Sequence, residues 1–236
     1  MNNKIFALTL MLTFVGISSH ATTAESAGTN PCADITGNSF AGRLFCDTGK
    51  TSVPSCSGCH GDDGNSMATS FPKLAGQNAK YISAQLMAFK NGDRSDPSMQ
   101  GIAQTMNQAN MHEIGEFYAK INISANKLPE LDEDDEEDLT APMDELMVIG
   151  KNVYQHGNKA SEVPACQACH GATGEGNTPA GYPALASQHA AYLIKTLTDF
   201  KAGARSSDPD NMMAMITDNM SAQEIEAVAY YLSVMK

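Results

Sequence analysis

The frame Pro-x-Cys-x-x-Cys-His-Gly occurs twice in this chain, as "PSCSGCHG" at 54–61 and "PACQACHG" at 164–171. The residues downstream of each frame also recur. "CSGCHGDDGN" matches "CQACHGATGEGN", and "FPKLAGQNAKY" (71–81) matches "YPALASQHAAY" (182–192). "FKNGDR" (89–94) matches "FKAGAR" (200–205), and "SDP" recurs at 95–97 and 207–209. The order is kept and the spacing drifts by only a few residues, so whatever one copy folds into is built twice. Upstream, "FAGRLF" (40–45) has a looser counterpart in "VIGKNVY" (148–154). The stretch 122–143, "NISANKLPELDEDDEEDLTAPM", has no partner in the other copy and reads as an acidic linker. The expected plan is a first domain at 22–121, the linker at 122–143 and a second domain at 144–236.

Each copy reads as helical. Ile82, Leu86 and Phe89 fall at helical spacing, and Leu193, Leu197 and Phe200 repeat that pattern. The last helix of copy two has a start signal in Ser221 with Glu224, followed by Ile225, Val228, Ala229 and Leu232 on one face. Asn110 with Glu113 is the weaker equivalent in copy one. No run with strand alternation stands out, so the fold class is all-α.

The N-terminus, "MNNKIFALTLMLTFVGISSHA", has the charged Lys4, an apolar run from Ile5 to Ile17 and a small-x-small site at Ser19-His20-Ala21. An apolar run this short falls below the ~20 residues of a membrane span and reads as a cleavable signal peptide over 1–21. Export to a bacterial periplasm is expected. The net charge of −12 disfavours nucleic acid, whose phosphates would repel the chain, and suits a basic patch on a protein partner.

Cysteines three apart with a histidine directly after them are the attachment pattern of a c-type haem. The thiols of Cys56, Cys59, Cys166 and Cys169 form thioethers with the vinyl groups, and His60 and His170 coordinate the irons. A thiol–disulfide pair would not need the histidine, and a shared zinc would have its two half-sites in separate copies; a three-ligand zinc site in each copy is the third alternative, outweighed by export, duplication and the matching flanks. A porphyrin also answers a packing problem, since a small helical domain with no tryptophan has little core of its own.

With these residues in view, the chain resembles the dihaem cytochromes of the cytochrome c4 family. The resemblance rests on the two haem motifs, "FPKLAGQ", "GYPALASQHAAYLIKTLTDFKAG" and the methionine-bearing segments. It implies two tandem class I cytochrome c domains, two covalent haems c, and Pro72 and Pro183 offering carbonyls to the ligand histidines. It implies an electron carrier and no enzyme, working between a quinol-oxidising complex or other donor and a terminal oxidase or reductase. The expected partners are a membrane-bound terminal oxidase and a cytochrome bc-type donor, with loose association at the membrane. The alternative is the dihaem, electron-accepting subunit of a flavin-containing sulfide dehydrogenase or similar enzyme; a dihaem peroxidase would need one open iron.

The distal iron ligands are expected to be Met99 and Met213. Both follow the shared "SDP", three residues before Ile102 and Ile216 and seven before Met106 and Met220, which are the runners-up. Met220 has a packing task beside the Ser221 cap, and the family pattern also favours the earlier methionines. Cys32 and Cys46 lie outside both haem motifs and are expected to form a disulfide in an oxidising compartment. His112, His156 and His189 do not recur and are weak iron candidates; Tyr81 and Tyr192 do recur and read as core aromatics.

Overall fold

A computed structural model describes residues 56–128, 138–206 and 209–236. The signal peptide, Cys32, Cys46, the "FAGRLF" segment and most of the acid run lie outside the described residues. The described residues form helices and turns with isolated β-bridges and no strand.

Copy one contains α1 (Ser57–His60), α2 (Ala79–Asn91), α3 (Pro97–Gln104) and α4 (Gln108–Tyr118). Copy two contains α5 (Met143–His156), α6 (Gln167–His170), α7 (Ala190–Lys201), α8 (Met212–Asp218) and α9 (Ala222–Val234). A 3-10 turn, Pro209–Asn211, leads into α8. Each copy closes on its own core. In the first, Ile82, Leu86 and Phe89 of α2 meet Met111, Ile114 and Tyr118 of α4, with Ala103 and Met106 between them. In the second, Val153 and Tyr154 of α5 and Leu193 of α7 meet Ile225, Val228 and Leu232 of α9. The 3.6-residue spacing read from the sequence is the spacing of these buried faces.

The helix α5 crosses α9 at Gly150. A Cβ there would stand 2.1 Å from the Ala227 carbonyl oxygen, so the two backbones meet where only a hydrogen fits. The Ser221–Glu224 capping box forms as expected: Ser221 accepts from the Glu224 amide and the Glu224 side chain returns to the Ser221 amide. In copy one the start of the last helix differs from the sequence reading. The capping box joins Asn107 and Asn110, and Glu113 lies inside the helix. Asparagine at both ends of a three-residue step satisfies both orphan amides, which the Asn110–Glu113 reading did not consider.

The linker also differs in part from a free tether. Residues 122–128 lie along the surface of the protein. Ser124 donates its amide to Asn65 at 2.7 Å, Lys73 Nζ donates to the Ser124 carbonyl at 2.7 Å, and Asn126 Nδ2 donates to the carbonyls of Ser187, Gln188 and Ser233 at 2.9 to 3.1 Å. The Ser124 main chain is held by side chains of copy one and the Asn126 side chain bonds backbone of copy two, so this segment joins the two copies as a strap. No helix among the described residues is long and apolar enough to cross a membrane.

Candidate functional site

Each Cys-x-x-Cys-His set occupies a single helical turn. The His60 amide donates to the Cys56 carbonyl at 2.9 Å, and the His170 amide to the Cys166 carbonyl at 3.0 Å. The thiols and the imidazole therefore issue from one short, rigid step of backbone. The glycine that ends the frame has a reason: Gly61 and Gly171 take φ of 81° and 84°, a left-handed value that turns the chain away directly after the histidine. None of the four motif cysteines is paired in a disulfide. Cys56 packs half-buried against the first core and Cys166 against the second. Before any haem is attached, burial pushes both thiols up, Cys166 to about 11.

Both histidines are buried, His60 at 6% and His170 at 7% exposure, and burial lowers their affinity for a proton. His60 Nδ1 donates to the Pro72 carbonyl at 2.8 Å, and His170 Nδ1 to the Pro183 carbonyl at 3.0 Å. With Nδ1 committed to a backbone carbonyl, the remaining donor nitrogen of each ring is Nε2. Two thiols and one free Nε2 from a single turn is the donor set that a covalent haem requires, and it is present twice. Among the described residues no cluster of three or more His, Cys, Asp or Glu side chains is placed to hold a metal ion.

The four candidate methionines separate by environment. Met106 and Met220 are buried at 2% and 3% and belong to the two cores. Met99 and Met213 are half-buried. As the sequence suggested, both follow the proline-containing segment. Each lies in the first turn of a short helix. Asp96 caps α3 by accepting from the Met99 amide at 2.9 Å, with Pro97 opening the helix. In copy two, two extra residues separate the proline from the methionine. Asp210 and Asn211 absorb them by taking left-handed φ of 60° and 55°. Asp and Asn are among the few residues that tolerate this conformation. Met99 packs against the same core cluster as Cys56.

The other histidines do not join these sets. His112 and His156 are exposed. His189 is buried, and its Nε2 meets the Ser66 carbonyl of the other copy at 2.9 Å. The recurring tyrosines have a role that the sequence reading missed. Their hydroxyls receive arginines across the boundary between copies: Arg94 donates to Tyr192 at 2.9 Å and Arg205 to Tyr81 at 2.8 Å. Each guanidinium also covers the phenylalanine of its own "FK-x-G-x-R" segment, Arg94 over Phe89 at 4.6 Å and Arg205 over Phe200 at 4.4 Å. Arg94 and Arg205 pair their backbones in an antiparallel bridge. Gln77 and Gln188 were also missed, and they too cross the boundary. The only signal for any of these residues was their position inside the repeated segments.

Comparison with known proteins gives two tandem domains of one family. The cytochrome c family model matches twice, over residues 46–146 and 148–236. The chain is 36% identical over 202 residues to cytochrome c4 of Azotobacter vinelandii, covering 81% of this chain and 89% of that one. It is 34% identical over 179 residues to a thiosulfate dehydrogenase electron acceptor of Stutzerimonas stutzeri, covering 75% and 77%. The crystal structure of reduced recombinant cytochrome c4 from Pseudomonas stutzeri superposes with a TM-score of 0.68 at 32% identity, covering 77% of this chain and 93% of that one.

Proposed function

The chain belongs to the cytochrome c family, as a dihaem electron-transfer member of the cytochrome c4 group that binds two covalent haems c, and from that premise we propose that it shuttles single electrons in the bacterial periplasm. The donor is a quinol-oxidising complex or a comparable reductant, and the acceptor is a terminal oxidase or reductase.

The observation that carries this reading is the same histidine–proline hydrogen bond in both copies. His60 and His170 are each oriented by a backbone carbonyl, at 2.8 and 3.0 Å, and so present Nε2 to an iron. Cys56 with Cys59, and Cys166 with Cys169, are the thioether donors. Met99 and Met213 would be the methionine ligands, because they recur, are half-buried and lie in the first turn of the helix after each proline. The haem, when bound, would supply a reversible one-electron couple, and a methionine sulfur on its iron would raise the potential. With a histidine and a methionine supplied to it by each copy, the iron would have no position open for substrate. The protein's own task is then to orient, shield and connect.

A second reading draws on the relative named as a thiosulfate dehydrogenase electron acceptor. Here the electron source is an enzyme that oxidises a sulfur compound, and this chain is its acceptor subunit. The flavin-containing sulfide dehydrogenase partner belongs to the same class of reading. Carrier and open-iron enzyme are separated by adding CO to the ferrous protein and peroxide to the ferric protein. A carrier binds no CO and turns over no peroxide; CO binding at either haem of the native protein removes the closed-iron reading. The two donor classes are separated by rapid mixing with a purified bc-type complex plus quinol, or with a thiosulfate dehydrogenase plus thiosulfate, and following haem reduction.

A further inference from the structure

The peptide bond after each ligand-holding proline is gripped from the other copy. The Ala184 amide donates to Gln77 Oε1 at 2.8 Å, and Gln77 Nε2 donates back to the Ala184 carbonyl at 2.9 Å. The mirror pair has the same form: the Lys73 amide donates to Gln188 Oε1 and Gln188 Nε2 donates to the Lys73 carbonyl, both at 2.9 Å. Both glutamines are buried, at 7% and 4% exposure. Their amide orientation is fixed by a third bond, since each Oε1 also accepts from the next residue's own amide, Asn78 at 2.8 Å and His189 at 3.0 Å. Turning either amide over would set an NH2 group against two N–H donors.

The Ala184 N–H belongs to the same peptide unit as the Pro183 C=O, and the Lys73 N–H to the same unit as the Pro72 C=O. Those are the carbonyls that receive His170 and His60. When a peptide N–H donates, its C=O becomes a stronger acceptor, because hydrogen bonds in a chain polarise one another. A stronger acceptor for Nδ1–H makes the imidazole a stronger electron donor at Nε2. That favours ferric over ferrous iron.

We propose that Gln77 and Gln188 are crossed positioning residues, each polarising the histidine-holding peptide of the opposite domain and thereby lowering the potential of that domain's haem. The two domains thus set each other's driving force through four hydrogen bonds at their boundary. The inference rests on the reading of His60 and His170 as iron ligands, and its test keeps the two apart.

The test uses the holoprotein with both haems and follows each haem separately by NMR. In the ferrous state, ring-current-shifted signals of the His60 and His170 rings report ligation. The Nδ1–H shift of each ring reports its hydrogen bond, and a redox titration gives each midpoint. Gln77→Leu is expected to move the His170 Nδ1–H upfield and raise the potential of the second haem, leaving the first unchanged. Gln188→Leu is expected to do the converse. Gln77→Glu keeps an oxygen facing the Ala184 amide, so the second haem should stay at or below its native potential. If the ring-current shifts are absent, the ligand reading fails and the inference with it. If they are present but Gln77→Leu leaves the second haem unchanged, or shifts the first instead, the inference alone fails. Should the leucine variants not fold, a raised second-haem potential in Gln77→Glu overturns the proposal by itself.

Discussion

The Arg94 guanidinium reaches over the boundary between the two copies and donates to the Tyr192 hydroxyl at 2.9 Å. Burial alone would raise the Tyr192 phenol, but Arg94 and Arg205 outweigh it and pull the phenol down to about 8. Its unfolded value is about 10. The native state therefore gives up this proton earlier than the unfolded chain. The resulting stability is present in full above about pH 10 and is lost as pH falls through about 8. Thermal unfolding between these limits should show native stability gaining on that of Tyr192→Phe as pH rises. Tyrosine labelled with carbon-13 at Cζ should show one early titration that the variant lacks. Equal pH slopes in the two proteins would sink the idea.

Met99→Ala and Met213→Ala should each open one ferrous iron to CO and lower that haem's potential, because loss of a sulfur ligand removes its preference for ferrous iron. Met106→Ala and Met220→Ala should instead cost ~2–5 kcal/mol of stability through cavities in the two cores, with no CO binding. A CO titration of the four variants checks this. CO binding confined to the Met106 or Met220 variant would reassign the ligand.

At Gly150 a methyl group would collide with the Ala227 carbonyl at 2.1 Å and with Tyr231 Cβ at 2.8 Å. Gly150→Ala should therefore force α5 away from α9 and cost ~1–3 kcal/mol. Gly101 lies in α3 with nothing within 4 Å of an added Cβ, so Gly101→Ala should stabilise its helix by roughly 0.5–1 kcal/mol. Calorimetry of both variants decides. A Gly150→Ala protein as stable as the native one would mean that the helices do not cross this closely.

Asn126 is the polar anchor of the strap, bonding Ser187, Gln188 and Ser233 and receiving Lys73 Nζ. Asn126→Ala should expose these groups at a cost of ~1–3 kcal/mol. Limited proteolysis should then cut within residues 122–128 faster than in the native protein. Unchanged cleavage there would show that the strap holds by other means.

How far the sequence could be read depends on the kind of relationship involved. Ile82, Leu86 and Phe89, or Ser221 with Glu224, act within one helix, and their spacing alone reports them. Asn107 was overlooked because several asparagines stand close together, and only the backbone shows which one precedes the first turn. That two covalent haems belong to this chain was legible because attachment demands Cys, Cys and His on one turn, which is a constraint on neighbours in the chain.

The crossed pairs are of another kind. Gln77 meets Ala184, Gln188 meets Lys73, Arg94 meets Tyr192 and Arg205 meets Tyr81 across roughly a hundred residues of chain. The duplication marked these positions as recurring but could not say that each copy serves the other. Two helical copies, each with a covalent haem motif, are written into the order of residues, because helix periodicity and the thioether turn are local. That the copies face each other about a shared boundary, and that the strap fastens them, is settled only on folding. It depends on which polar side chains find buried backbone partners once the two cores have formed, and no local pattern encodes that choice.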